Sequence, residues 1–192
     1  KELEEDILAV YPLGDPHIGM LAHHNETGDD FDLKIATRDL QRATKALVDR
    51  SPPAENTLIL SLGDFFHSDT TQNRTTRSGN VLDVDGRWHK VLNVGIDLMC
   101  EIVISAIEKH KKVIVKCICG NHDDMTSIVL ATTLSKFFRN EERVVVDTSP
   151  NKFWYYQFGK VLIGSTHGDT AKPERLPQIM AADEPKKWGE TE

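Results

Sequence analysis

Polar side chains that could bind metal ions or catalyse hydrolysis follow four separate apolar runs of the sequence. They fall in the strings Asp15-Pro16-His17, Gly63-Asp64, Gly120-Asn121-His122-Asp123 and Thr166-His167-Gly168. Each apolar run predicts a strand, and open α/β sheets bind ligands at the carboxyl ends of their strands. We therefore expect the four segments to meet in one crevice.

The side-chain types in these segments suit two divalent cations. Asp15 and His17 lie two residues apart on a chain expected to be extended, so both can leave the same side of the backbone and bind one ion. The two oxygens of Asp64 could bridge that ion to a second one, whose ligands would be Asn121 and His167. Carboxylate, imidazole and amide ligands without a thiolate favour manganese, iron or zinc over a structural zinc site built on thiolates. Of these ions we expect two Mn²⁺, with iron or zinc as alternatives.

Such a pair of ions predicts hydrolysis of a phosphoester. Two cations roughly 3.5–4 Å apart hold a hydroxide and bind the non-bridging oxygens of a phosphoryl group for in-line attack. An Asp or Asn after a strand often does no more than hydrogen-bond its own turn. Four such segments in this order make a shared site the better interpretation.

The periodicity of apolar residues predicts the elements that position these segments. The predicted strands cover residues 6–13, 57–62, 113–119, 144–146, 153–158 and 161–165, and the predicted helices cover residues 33–47, 91–106 and 128–138. This order predicts an α/β fold with a mainly parallel first half and an antiparallel extension. We expect one domain over residues 1–192, with its core motifs within residues 7–168 and a partly helical, marginally packed segment at 171–192.

Composition sets limits on the class of protein. The chain has 192 residues, a formal net charge of −7 and 39% hydrophobic residues, which favours a folded domain over a disordered one. The acidic balance argues against a broad electropositive surface for nucleic acid but does not bear on a local site with cations. No apolar run approaches the ~20 residues of a membrane span, and the first residues lack the basic-then-apolar pattern of a leader, so we expect none. The three cysteines are an odd number, which fits a reducing setting. We expect a cytoplasmic protein without membrane association.

In this order, the four strings resemble the motifs of the calcineurin-like metallophosphoesterase family over about residues 7–168. The resemblance implies a two-sheet α/β sandwich flanked by helices. It implies the same ligands as the chemistry above: Asp15 and His17 for the first metal, Asp64 between the metals, and Asn121 and His167 for the second. It further implies that His122 is the general acid or transition-state stabiliser and that Asp123 orients it.

The continuation of the second motif narrows the resemblance. Gly63-Asp64 continues as Phe65-Phe66-His67, where phosphoprotein phosphatases carry Val-Asp-Arg-Gly, and the third motif ends in Asp123 where they carry Glu. The chain is most similar to the DNA-repair exonuclease-like branch. This implies a phosphodiesterase or nuclease that cleaves DNA by metal-hydroxide attack. A phosphodiesterase for a small nucleotide or another phosphoester, and a non-catalytic binding module of the same fold, remain alternatives.

The long segment after the second motif contains candidate substrate-binding residues. Arg74 and Arg77 could neutralise substrate phosphates, and His67 follows the second motif closely enough to take part. The alternative interpretation is a solvated loop without a role in binding.

The family's last motif, Gly-His-x-His, does not follow His167. We interpret the chain as cut before that motif, so that the C-terminal part of the fold is incomplete; a naturally incomplete site is the alternative. In either case we expect weakened metal binding and impaired activity. A partner subunit or a homodimer also remains open.

Overall fold

A computed structural model describes residues 2–191 and shows mixed α/β architecture. The strands are β1 (Glu4–Leu13), β2 (Ala54–Ser61), β3 (Lys112–Cys117), β4 (Val144–Asp147), β5 (Trp154–Phe158) and β6 (Val161–Ser165). The α-helices are α1 (His24–Thr27), α2 (Leu33–Arg50), α3 (Trp88–Lys109), α4 (Thr126–Phe137), α5 (Leu176–Asp183) and α6 (Pro185–Glu190), with a 3-10 helix at Pro173–Arg175. Every predicted strand and helix is present, with bounds that differ by a few residues.

Strands β1 to β4 form one parallel sheet in the order β1-β2-β3-β4. Helices α2, α3 and α4 make the three crossovers between neighbouring strands. Because such crossovers are right-handed and the order advances in one direction, the three helices pack on the same face. The main core lies there and joins Ile59, Val113 and Val115 of the sheet to helix residues such as Leu98, Met99, Leu130 and Leu134.

The antiparallel pair β5–β6 covers the opposite face of the parallel sheet. Leu58 and Leu60 of β2 and Ile114 of β3 form a second cluster with Trp154 of β5, whereas Ile59 between the two leucines belongs to the main core. This alternation follows from the two-residue period of a strand. The α/β class and the parallel-then-antiparallel order are therefore confirmed.

A buried lysine and Asp147 form a polar cluster that reaches the small sheet through Trp154. Lys116 of β3 is fully buried, and its Nζ lies 3.0 Å from Oδ1 of Asp147 and donates to the carbonyl and the hydroxyl of Ser149 at 2.5 and 2.9 Å. The indole Nε1 of Trp154 donates to the other carboxylate oxygen of Asp147 at 2.7 Å. Burial acts to raise the pKa of Asp147, but the hydrogen bonds from Ser149, Trp154 and Lys116 outweigh it and hold the pKa at about 2.

The C-terminal segment is helical, as predicted, and lies along the small sheet. None of its helices contains a buried residue, although Tyr155 of β5 donates a hydrogen bond to Asp183 at 2.7 Å. An apolar groove of about 300 Å³ lies between them, with Met180 and Trp188 among its lining residues. No helix within residues 2–191 has the length and apolar character needed to cross a membrane.

The segment between β2 and α3 is ordered by contacts with the rest of the chain. Phe65 and Phe66 are buried, and Phe66 forms a parallel bridge with Ile18. A methyl group at Gly95 of α3 would lie 2.2 Å from the Phe66 ring, so the absence of a side chain there lets the ring pack against the helix. This packing fixes the position of His67, the next residue.

Candidate metal centre

The four motif segments meet beyond the carboxyl ends of the strands, as the sequence predicts. The amide of His17 donates to the carbonyl of Asp64 at 3.0 Å, which joins the segment after β1 to the segment after β2. The amide of His122 donates to Oδ1 of Asp64 at 2.8 Å, which adds the segment after β3. His167, which follows β6 of the small sheet, lies against the same segment through a 3.0 Å contact between its Nδ1 and the carbonyl of Leu62.

Three of the candidate ligands have an unusual backbone conformation. Four non-glycine residues in the described part of the chain have a positive φ, and three of them are Asp15, His17 and Asp64, at 45°, 45° and 49°. The chain from Asp15 to His17 is thus left-handed at both ligands, and the expectation of an extended chain there is wrong. Non-glycine residues adopt this region at a cost of about 1–3 kcal/mol each, and they concentrate at functional sites.

Asp64 lies between the two predicted groups of ligands. Its side chain is buried, and its Oδ2 lies 3.9 Å from Nε2 of His17 and 3.3 Å from Nε2 of His167. Its Oδ1 is already occupied by the amide of His122. Oδ2 is therefore the oxygen that faces ring nitrogens of both predicted groups, and Oδ1 also holds the third motif.

The contacts of His167 show that acceptor atoms converge in this centre. Its Nδ1 faces a carbonyl oxygen, so this nitrogen carries a proton. In the neutral ring Nε2 is then an acceptor, and it faces Oδ1 of Asn121 at 3.0 Å and Oδ2 of Asp64 at 3.3 Å. Two oxygens and a lone pair on nitrogen thus point into one space. A cation there satisfies all three, so the residues fit the metal that the sequence predicts.

Asp15 and His17 lie next to these groups and share Asp64 with them. One ligand atom from each of Asp15, His17 and Asp64 lies within 4.8 Å of the other two. The carboxylate of Asp15 is exposed, and its Oδ1 is 3.6 Å from Nδ1 of His167. Burial lowers the pKa of His17 despite the opposing charge of Asp64, and this favours the neutral imidazole that binds metals. All five predicted ligands are therefore close together.

Two glycines of the motifs permit the close approach of these ligands. A Cβ on Gly120 would lie 2.0 Å from Oδ1 of Asp64 and 2.3 Å from its amide nitrogen. A Cβ on Gly63 would lie 2.6 Å from Nδ1 of His167, and Gly63 also has a φ of +96°. These positions need glycine because no side chain fits between the converging segments.

Asp123 does not orient His122, contrary to the role that the family resemblance implies. Its buried carboxylate accepts hydrogen bonds from the amides of Asp64, Phe66 and Gly120 and from the hydroxyl of Ser127. Burial is the largest influence on its pKa and raises it. Asp123 is therefore a positioning residue that joins the second and third motifs.

His122 is oriented instead by the backbone of His67. Its Nδ1 lies 2.9 Å from the carbonyl of His67, and the two rings stack with centroids 5.2 Å apart. Nδ1 therefore carries a proton, and Nε2 is the nitrogen left for chemistry. Burial, together with the nearby His17 and His122, lowers the pKa of His67 to about 4, so this ring is neutral near neutral pH.

The three candidate substrate-binding residues occupy different places. His67 is buried against His17 and His122 and belongs to the centre itself. Arg77 lies 3.2 Å from Asp169, two residues after His167, and we call the surface around Asp169 the rim of the centre. The guanidinium of Arg74 instead donates to the carbonyl of Gly79 within its own loop. No recorded contact links Arg74 to the centre.

Two residues that the sequence analysis did not select also shape the site. The buried carboxylate of Asp69 accepts from the amide and hydroxyl of Thr126 at 2.7 and 2.6 Å, and so caps α4 just after the third motif. Lys152 lies 3.1 Å from Asp124 and 3.6 Å from Asp169, which places a second cation on the rim. The partners of Asp69 and Lys152 lie far from them in the sequence. The local spacing of residues therefore does not indicate that either one belongs to the site.

Comparison of the chain with protein-family models, curated proteins and solved structures found no match. The chemistry of the centre is therefore argued from the side chains themselves.

Proposed function

We propose that this chain is a dinuclear metal-dependent phosphoester hydrolase of the calcineurin-like metallophosphoesterase type, and that it cleaves phosphodiester bonds in DNA. The observation that carries the proposal is the convergence of acceptor atoms around Oδ2 of Asp64. Left-handed backbone at Asp15, His17 and Asp64 supports it, because conformational strain of this kind persists where a site requires it.

We assign the ligands to two groups that share Asp64. Asp15 and His17 would hold one divalent cation, and Asn121 and His167 would hold the other, with Asp64 between them. Mn²⁺ is the preferred ion for this mixture of oxygen and nitrogen donors, and iron and zinc are alternatives. When bound, the ions supply Lewis-acid activation of water and of the phosphoryl oxygens.

His122 has the geometry of a general acid. Asp64 accepts from its backbone amide and the carbonyl of His67 accepts from its Nδ1–H, so one contact fixes the main chain and the other fixes the ring. Nε2 is then the atom that can hold a proton and release it to the leaving oxygen. General acid catalysis of this kind typically contributes about 10²–10⁴-fold to the rate.

The rim supports a polyanionic substrate. Arg77 and Lys152 both lie close to Asp169, the residue two positions after His167, so two cationic side chains are near the centre. Phosphates that flank the scissile bond of a nucleic acid could replace Asp169 as their partner, which is the usual way that cations add affinity for such a strand. The similarity of the second motif to the DNA-repair branch points in the same direction.

A small phosphodiester is the second candidate substrate. A groove of about 420 Å³ lies beside Asp15 and His17 and is lined on its far side by apolar residues of α2 such as Leu40 and Ala43. A groove of this size can hold one nucleotide-sized group next to the centre.

The test is hydrolysis of two substrates by the chain loaded with Mn²⁺: an end-labelled DNA duplex and bis-p-nitrophenyl phosphate. We expect cleavage of both, and His122→Ala should lower kcat by about 10²–10⁴-fold. His89→Ala removes an exposed histidine outside the centre and should leave kcat unchanged.

Each outcome selects one function. Hydrolysis of the small diester without cleavage of DNA would replace the nuclease proposal by the small-substrate alternative. Mn²⁺ binding without hydrolysis of either substrate would favour the non-catalytic binding module.

A further inference from the structure

We propose that His17, His67 and His122 form a zinc-binding site of their own, which competes with the candidate metal centre for His17. These three histidines form a cluster in which one ring nitrogen from each lies within 4.8 Å of the others. His67 belongs to neither group of ligands described above. The cluster therefore combines a proposed ligand, His17, and the proposed general acid, His122, with one histidine, His67, to which the proposed hydrolysis gives no role.

The spacing of the ring nitrogens suits a tetrahedral ion. Nδ1 of His17 lies 3.2 Å from Nδ1 of His67. Zinc binds imidazole nitrogen at about 2.0–2.1 Å, so two ligands of a tetrahedral site lie roughly 3.3–3.4 Å apart. The two nitrogens thus already have nearly the separation that zinc needs.

The third ligand is held as metal-binding histidines usually are. The Nδ1–H of His122 donates to the carbonyl of His67, and this leaves Nε2 with a lone pair. A ligating histidine almost always donates its other ring N–H to a carbonyl, a carboxylate or water, which fixes its tautomer. The ring of His122 also packs edge-on against His17 at 4.9 Å and stacks on His67.

The two sites differ in the ions that they prefer. Three imidazoles without a carboxylate suit zinc, and they also suit its spectroscopic substitute cobalt. The neighbouring group of Asp15, His17 and Asp64 supplies two carboxylates, which suit manganese. Zinc and manganese should therefore divide between neighbouring positions in the same crevice.

Only one of these ions can use His17 at a time. The neutral ring has a single lone pair, so metal binding at Nδ1 puts the proton on Nε2, which lies 3.9 Å from Oδ2 of Asp64. Metal binding at Nε2 puts the proton on Nδ1, where His67 can accept it. Zinc in the three-histidine cluster would thus remove a ligand from the manganese centre and inhibit hydrolysis. This last consequence depends on the proposed function, whereas zinc binding does not.

The test is a titration with Co²⁺ alone, followed in visible absorption, with Zn²⁺ then added to displace it. We expect the intense band of tetrahedral cobalt in the unmodified chain. His67→Ala should weaken Co²⁺ binding by more than about 100-fold, since loss of a ligand exceeds the 10–100-fold cost of losing an outer partner. His67→Gln, which keeps a polar group beside His17, should do the same, and His89→Ala should not.

Asp64→Asn separates this inference from the proposed function. The amide oxygen of Asn can still accept from the backbone of His122, so the cluster should keep its cobalt band while Mn²⁺ binding is lost. The inference would be overturned by a cobalt band that survives in both His67 variants, by a band that Asp64→Asn abolishes, or by a wild-type spectrum without tetrahedral intensity. Circular dichroism of each variant checks that it is folded.

Discussion

Single residues hold the candidate centre in a conformation that the chain would otherwise avoid. Asp15, His17 and Asp64 adopt positive φ angles, and such residues cost about 1–3 kcal/mol each unless their surroundings fix them. Two hydrogen bonds do this here: the amide of His17 donates to the carbonyl of Asp64, and the amide of Asp64 donates to the carboxylate of Asp123. Contacts within the chain therefore position the candidate ligands.

A substitution at Gly120 tests how closely the third motif packs against Asp64. Gly120→Ala would place a Cβ 2.0 Å from Oδ1 of Asp64, and we expect it to destabilise the fold by about 1–3 kcal/mol and to weaken Mn²⁺ binding. Urea unfolding and metal titration measure the two effects. Gly14→Ala is the matched control, because its Cβ would meet nothing within 4 Å. Equal stability of the two variants would contradict the packing described here.

The buried carboxylate of Asp123 can be tested in the same way. Asp123→Asn would turn an NH₂ group toward the amide and the hydroxyl that now donate to the carboxylate. Because a buried donor is then left unsatisfied, we expect the free energy of unfolding to fall by roughly 1–3 kcal/mol. The neighbouring Asp124→Asn changes a partly exposed carboxylate that pairs only with Lys152 among its recorded partners, and it should cost much less. If both changes had the same small effect in chemical denaturation, Asp123 would not be a positioning residue.

The sequence predicts which residues come together in the candidate centre but not their backbone geometry. Asp15, Asp64 and Asn121 follow apolar runs, and that local pattern was enough to predict that they share an edge. The left-handed conformation of His17 was not predictable, because it depends on contacts with Asp64 about fifty positions away. For the same reason the sequence assigned Asp123 to His122, whereas the structure assigns it to three amides and a hydroxyl.

At the scale of elements, the parallel sheet brings the motifs together. Each of β1, β2 and β3 ends at the same edge, and the apolar periodicity of the sequence predicts all three strands. The contact between the two sheets was harder to foresee. Lys116 is the one charged residue in an otherwise apolar predicted strand. Only the structure shows that its buried ammonium is hydrogen-bonded by Asp147 and Ser149, and that Trp154 in turn holds Asp147.

This contact between the sheets predicts a pH dependence of stability. The folded pKa of Asp147 is about 2, below the usual value of about 3.9 for Asp in an unfolded chain. Its contribution to stability is therefore fully present above about pH 4 and is lost as the pH falls toward about 2. Thermal unfolding at several pH values should show a shallower decline over this window for Asp147→Asn than for the unmodified chain.

Asp49→Asn is the control for that series. Asp49 is an exposed carboxylate paired with Lys45 four residues earlier in α2, a type of pair that adds little to stability. The same slope in the Asp147 variant, the Asp49 variant and the unmodified chain would contradict the role given to the buried lysine and its partners.

At the scale of the whole molecule, both sheets contribute to one centre. Asp15, Asp64 and Asn121 follow strands of the parallel sheet, whereas His167 follows β6 of the antiparallel pair. Helices cover one face of the parallel sheet and the small sheet covers the other, so the centre lies at the edge where the two sheets meet. Ions bound there would join the sheets and stabilise the folded chain by linkage.

Calorimetric titration of Mn²⁺ into the unmodified chain and into Asp64→Asn tests the proposed dinuclear centre. We expect two ions per chain and a loss of affinity for both in the variant, because Oδ2 of Asp64 faces both proposed groups of ligands. A single ion, or two ions whose affinities do not depend on Asp64, would contradict a dinuclear centre bridged at this residue.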